Sequence, residues 1–154
     1  MSTIYLFRHG QSEFNLKKIF TGWLDAKLTP LGIEQAKTLG KLLKNKQIDL
    51  AYSSSLSRAL DTLHEVLVFH PNCQEILIDD RIIERSYGDL AGHSHEEVIK
   101  KYGQEQFDRL AIDQNLFLHP DGRLVTRSEM PPECFKNQNY NRMPKIRKHR
   151  KRRR

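Results

Sequence analysis

Between residues 3 and 103, short β-branched and aromatic runs alternate with longer amphipathic stretches, and this alternation restricts the fold more than any other feature of the chain. Residues 3–7 (T-I-Y-L-F), 48–52 and 76–78 read as strands. The first ends abruptly in Arg8, His9 and Gly10, as a buried strand does where it feeds a loop. Thr29 followed by Pro30 marks an N-cap with proline at the first helical position, and Leu31, Ala36, Leu39, Leu42 and Leu43 fall on one face of a helix ending near Asn45. A second helix over residues 56–69 follows the Ser53, Ser54, Ser55 cluster. Ser94, with Glu97 three residues later, is a capping box that opens a third helix, stopping near Gly103. Such an order implies right-handed crossovers, a largely parallel sheet covered by helices, and ligands bound beyond the carboxyl ends of the strands. The class expected is α/β, a three-layer α/β/α arrangement with a mostly parallel sheet, and His9 stands at a strand end.

That regularity stops near Leu110. Residues 116–118 are a candidate brief strand before the turn-like Pro120, Asp121 and Gly122, whereas residues 130–143 are rich in Pro, Asn and Gln with little periodicity. Three regions are therefore expected: an α/β domain over residues 1–110, incomplete on its C-terminal side; an irregular segment over residues 111–144; and a disordered basic tail over residues 145–154. Charge follows the same division. Removing the eight Lys and Arg of residues 145–154 from the formal charge of +7 leaves the rest of the chain at −1. Only the tail suits polyanions, and nucleic-acid binding is expected as no more than non-specific association through it, because no aromatic residues interleave its cations. Cys73 and Cys134 lie far apart without metal-ligand spacing, and the chain does not start with a basic segment leading an apolar run. No apolar stretch approaches the roughly 18–20 residues that cross a bilayer. A cytoplasmic protein without membrane association is the expectation.

Arg8, His9, Gly10, Ser12 and Asn15 form the pattern R-H-G-x-S-x-x-N directly after the first strand. A neutral imidazole nitrogen can attack phosphorus and hold the phosphoryl group covalently, while the other ring nitrogen donates to a backbone carbonyl that fixes the tautomer. Arg8 would bind the equatorial oxygens. Gly10 lets the backbone approach without a Cβ, and Ser12 and Asn15 are short donors able to complete a phosphate cradle. A histidine taken alone is most often a satisfied structural residue; the five-residue setting of His9 favours a phosphoryl acceptor. Such chemistry requires no metal.

The segment from Arg8 to Asn15 resembles the signature of the cofactor-dependent phosphoglycerate mutases and their histidine phosphatase relatives, and three further segments agree. F-T-G-W-L-D-A-K-L-T at residues 20–29 is similar to the mutase segment whose Thr and Gly, here Thr21 and Gly22, contact the substrate. S-L-S-R-A-L-D-T at residues 55–62 places Arg58 in the first turn of a helix, where guanidinium and helix dipole act on one anion. E-R-S-Y-G at residues 84–88 resembles the segment that supplies the general acid, here Glu84, with Arg85 and Tyr87 against the substrate. Alone, Glu84 beside Arg85 would be a surface ion pair of little energetic weight. In this setting it is the expected proton carrier, its pKa raised by burial beside a phosphate. Trp23 and Tyr87 are also readable as core aromatics.

The resemblance covers about residues 3–110. It implies a phosphoglycerate mutase-like fold and the interconversion of 2- and 3-phosphoglycerate in glycolysis and gluconeogenesis, through a phosphohistidine at His9 primed by 2,3-bisphosphoglycerate. A small phosphorylated acid is the implied substrate, and a homo-oligomer is a compatible assembly. Two alternatives stand beside it: a histidine phosphatase that hands the phosphoryl group to water, and a non-catalytic phosphate-binding remnant with a polyanion-binding tail. Family members carry a second catalytic His, followed by Gly, at the end of a later strand. No further His-Gly pair exists here, and His119, which precedes Pro120, is the only formal candidate. A mutase Lys and a pair of Arg residues that bind substrate phosphate align with His95, Ala111 and Ile112, leaving His95 as a candidate substrate contact. Loss of one imidazole and three cations predicts turnover far below that of a complete family member, since one transition-state donor can carry ~3–4 kcal/mol. The abrupt change of pattern near codon 110 suggests a gene truncated or shifted in frame.

Overall fold

The computed structural model describes residues 2–112, 116–118, 124–126 and 147–149. They fall into two compact units, one formed by Met1–Leu16, Asp25–Ile83 and Pro144–Arg154, the other by Lys17–Leu24 and Glu84–Met143.

In the first unit a one-turn helix α1 (Glu13–Leu16) precedes α2 (Pro30–Leu43), β1 (Leu50–Ser53), α3 (Ser57–Leu67) and β2 (Glu75–Ile78). α2 starts as expected: the Thr29 hydroxyl accepts from the Gly32 amide, and Pro30 occupies the first turn, where no amide donor is needed. β1 and β2 pair in parallel, with Ala51 beside Ile76, so α3 is the crossover between them. Leu63 and Leu67 of α3 bury against Ala51, Cys73 and Ile76, and Phe7, Ile48 and Ile78 flank this core. α2 packs closely on α3 because Gly40 has no side chain; a Cβ there would lie 2.5 Å from the Phe69 ring. The α/β class read from the sequence is the observed one.

One expectation needs correction. Residues 3–7 form no strand; Phe7 reaches the core, but Ile4 and Leu6 are 88% and 95% exposed. A strand apolar on both faces is stable only when both faces are covered. α3 covers one face of the sheet, while Leu50 and Tyr52 on the other face of β1 stay exposed. Within the C-terminal segment, Arg147–His149 form β5, antiparallel to β2, giving the order β1-β2-β5; the other residues of 145–154 lie outside the described residues. An open strand edge offers N–H and C=O groups that pair with any backbone, whatever its side chains.

The second unit contains α4 (His95–Tyr102), α5 (Gln104–Ile112) and an antiparallel pair, β3 (Leu116–Leu118) with β4 (Leu124–Thr126). The Ser94–Glu97 capping box is complete: the Ser94 hydroxyl accepts from the Glu97 amide and the Glu97 carboxylate accepts from the Ser94 amide. The Ser94 amide, the largest cause, holds the Glu97 pKa below its usual value. Phe20, Leu90, Val98 and Leu110 form the core, flanked by Tyr87, Tyr102 and Phe107. α5 was not expected from the sequence; Gly103, at φ +90°, breaks α4 and lets a new helix start at once. His119, Cys134 and residues 130–143 lie outside the described residues. Among the described residues no helix is long and apolar enough to cross a membrane.

Candidate active site

His9 is half-buried and held at both ring nitrogens. Its Nδ1 lies 2.7 Å from the Gly10 carbonyl oxygen, and its Nε2 lies 3.2 Å from Nε of Arg58. A carbonyl only accepts and a guanidinium only donates, so the proton sits on Nδ1 and the Nε2 lone pair accepts from Arg58. This is the tautomer that a phosphorus-attacking imidazole requires. Arg58 is 1% exposed, on the first turn of α3, and presents its charge to that lone pair.

The loop carrying His9 is seated on the start of α2. Gly10 and Gly32 touch backbone to backbone; a Cβ on Gly10 would stand 2.2 Å from the Gly32 carbonyl oxygen, and one on Gly32 would stand 2.1 Å from that of Gln11. Gln11 donates its amide to the Gln35 side chain at 2.9 Å, and its carbonyl accepts from the Thr29 amide at 2.9 Å. Ser12 is fully buried and pairs reciprocally with Asn15, each side-chain oxygen accepting the other's backbone amide at 3.1 and 3.2 Å. Both side chains therefore cap α1 and close the loop. Arg8 is exposed.

The start of α3 differs in one respect from the expectation that helix dipole and Arg58 would act on one anion. The Ser57 amide and hydroxyl both donate to Asp25 Oδ1 at 2.9 Å, and the Ser55 amide and hydroxyl donate to the Asp80 carboxylate at 2.6 and 2.9 Å. Leu56 occupies the N-cap position without a side-chain oxygen, and Asp25 supplies the missing cap from a distant loop. Here the helix end already holds protein carboxylates, and Arg58 carries the cationic role at His9.

In the second unit the two other family-like segments meet. Gly22, at φ +51°, lies against Arg85 and Tyr87; a Cβ there would stand 3.0 Å from the Arg85 carbonyl oxygen and 3.1 Å from the Tyr87 ring. Trp23 Nε1 donates to the Glu84 carbonyl at 2.6 Å, so this indole ties one segment to the other as well as packing. The Arg85 guanidinium lies 4.5 Å over the Tyr87 ring and donates to the Leu110 carbonyl at 3.3 Å. Glu84 is half-buried, with one carboxylate oxygen 3.3 Å from the Arg85 amide. Thr21 is buried and donates to the Ile19 carbonyl at 3.3 Å. His95 sits in the first turn of α4 with its ring 4.8 Å from Phe20 and 5.1 Å from Phe107. Burial among these rings, and then the Lys18 charge, lower its pKa, so the imidazole is neutral near pH 7. Among the described residues no group of three or more His, Cys, Asp or Glu side chains could hold a metal ion.

Sequence reasoning missed Asp25, Asp80, Gly32 and Thr62 as supports of the site. Thr62 carried a signal: four residues after Arg58, it lies on the same helix face. The others meet their partners only through the fold.

Residues 4–123 match the family model described as the histidine phosphatase superfamily, branch 1. The chain is 47% identical over 108 residues to a 2,3-bisphosphoglycerate-dependent phosphoglycerate mutase of Rhizobium rhizogenes, an alignment covering 68% of this chain and 51% of that protein. Among solved structures it is similar to phosphoglycerate mutase from Bacillus anthracis, with a TM-score of 0.58, 28% identity and coverage of 68% of this chain and 48% of that one. It is similar also to a mycobacterial glucosyl-3-phosphoglycerate phosphatase solved with VO3, with a TM-score of 0.59, 29% identity and coverage of 65% and 47%. The chain spans about half the length of the curated relatives it matches. With the R-H-G loop, the Nδ1-protonated histidine and the buried arginine beside it, the match over residues 4–123 establishes that this chain belongs to the histidine phosphatase superfamily.

Proposed function

We propose that this chain captures a phosphoryl group on His9 Nε2 and acts as a phosphoglycerate mutase, interconverting 2- and 3-phosphoglycerate with 2,3-bisphosphoglycerate as primer. The observation that carries the reading is the fixed tautomer: Nδ1 is committed to the Gly10 carbonyl while Nε2 faces a buried guanidinium. That donor set suits a phosphorylated primer, because it offers a nucleophile and a cation at one point. 2,3-Bisphosphoglycerate supplies the phosphoryl group. Arg58 passes its N–H from the imidazole to an incoming phosphoryl oxygen, freeing the lone pair for in-line attack and offsetting the charge that develops. Arg8, Gly10, Ser12 and Asn15 shape the loop around that group. Glu84 carries the proton to and from the leaving oxygen, and Thr21, Gly22, Arg85, Tyr87 and His95 bind the rest of a small phosphorylated acid. His95 does so as a neutral hydrogen-bonding group, not a cation. In this reading the protein works in the cytoplasm.

Names among the curated relatives favour the mutase over the phosphatase reading. Capture needs the His9 loop, Arg58 and the Glu84 proton, all present in this chain, whereas efficient return of the phosphoryl group needs the second His and the cations that the aligned positions lack. Capture and turnover should therefore separate. Incubation of the full chain with 2,3-bisphosphoglycerate, followed by intact mass and peptide mapping under alkaline conditions, should find one acid-labile phosphoryl group on His9. Turnover of 3-phosphoglycerate should be far below that of a complete family member. Label that persists in His9→Ala would sink the assignment, and full turnover dependent on His119 would show that the chain keeps a second catalytic histidine.

A further inference from the structure

We propose that Thr62 is a positioning residue for phosphoryl transfer, closing a hydrogen-bonded ring that begins and ends on Arg58 and holds His9 in its reactive tautomer. The proposal rests on the reading of His9 as the phosphoryl acceptor. The Thr62 hydroxyl donates to the Arg58 backbone carbonyl at 2.7 Å, the helical i to i−4 bond open to threonine. This turns its lone pairs outward, and one accepts the Gly10 amide at 3.0 Å. The Gly10 carbonyl accepts from His9 Nδ1, and His9 Nε2 accepts from the Arg58 side chain, which completes the circuit. Each member thus fixes the direction of the next.

Thr62 is 1% exposed, so no water substitutes easily for its hydroxyl. The role demands a hydroxyl of one length. Serine preserves it; valine matches the shape of threonine but leaves the Gly10 amide without its partner. Once that amide is released, Gly10 loses its anchor on α3 and its backbone can rotate, the Gly10 carbonyl, which belongs to the following peptide, leaves Nδ1, and the proton is free to move to Nε2, where it blocks attack. Thr62 touches neither phosphorus nor substrate in this account and acts through the histidine alone.

The test compares the full chain with its Thr62→Val and Thr62→Ser variants, reading single-turnover phosphorylation of His9 by 2,3-bisphosphoglycerate and the ring nitrogen shifts of His9 by NMR. Wild type should show the Nδ1-protonated tautomer. Thr62→Val should lose that preference and label roughly tenfold or more slowly, with Thr62→Ser recovering both. A rate loss without a tautomer change, or one that serine does not recover, overturns the proposal. If Thr62→Val does not fold, the decision falls to the wild-type tautomer and the serine variant. An Nε2-protonated wild-type ring, or a serine variant as slow as an unanchored loop, would overturn it. Failure of wild type to label while the tautomer still responds to Thr62→Val would retain the ring and reject the phosphoryl-transfer reading.

Discussion

Replacement of Arg58 by alanine removes a charge that, among the described residues, is directed at Nε2 of His9. Arg58 Nε lies 3.2 Å from His9 Nε2, and the residue is 1% exposed, so its contact with an anion would be little screened by solvent. A charge-assisted hydrogen bond of this kind contributes about 1.5–3 kcal/mol, which corresponds to a loss of about 10- to 150-fold in vanadate affinity. Arg85 is engaged differently: it stacks on Tyr87 at 4.5 Å and donates to the Leu110 carbonyl. Arg85→Ala should cost no more than about fivefold, the scale of a half-exposed cation–π contact. Arg58→Lys should fall between, keeping the charge and losing the planar Nε donor. The assay is calorimetric titration of each full-length variant with orthovanadate at fixed ionic strength, with circular dichroism and melting matched first. Equal losses in Arg58→Ala and Arg85→Ala, or an Arg58→Ala affinity within twofold of wild type, would refute the placement of Arg58 at the phosphoryl site.

Gly32→Ala should destabilise the chain by about 1–3 kcal/mol and slow labelling of His9, because its Cβ would meet the Gln11 carbonyl at 2.1 Å and displace the loop; unchanged melting and labelling would count against the backbone contact. His95 contributes to stability with a definite sign. Its folded pKa lies below the ordinary value of 6.5, so the neutral form is favoured by folding and the contribution is present above that pH and lost as pH falls through the lowered value. Urea unfolding as a function of pH should show this loss in wild type and a flatter curve in His95→Phe; parallel curves would refute it. Ile4 and Leu6, exposed at 88% and 95%, should drive self-association, as should the exposed Tyr52. The double variant Ile4→Lys, Leu6→Lys should sediment as a smaller species at the same concentration while still labelling at His9, and identical sedimentation would remove that explanation.

Whatever depends on neighbours in the chain was legible from the residues. Thr29 with Pro30, and Ser94 with Glu97, announce helix starts because the capping oxygen and the amide it accepts are only three residues apart. The R-H-G-x-S-x-x-N pattern pointed to His9 for the same reason, since the Nδ1 partner is the carbonyl of the next residue and Ser12 and Asn15 cap each other. Residues 3–7 show where this reasoning stops. Their composition suits a strand covered on both faces, but coverage is supplied by other elements and is not a property of the run itself. β5 depends on the fold in the same way, since the open edge of β2 pairs with Arg147–His149 through backbone groups that composition does not reveal. The site divides along the same line. Arg58 reaches His9 across 49 residues, and Thr62 reaches Gly10 across 52. Asp25 caps α3 from a loop 32 residues upstream. No spacing rule spans such distances, because the partners are brought together by the packing of α2 on α3 and of α3 against the sheet. The sequence by itself determined which side chains the candidate site can draw on; only the tertiary structure decided what faces each ring nitrogen of His9, since the direction of its lone pair depends on the partners that the fold places there.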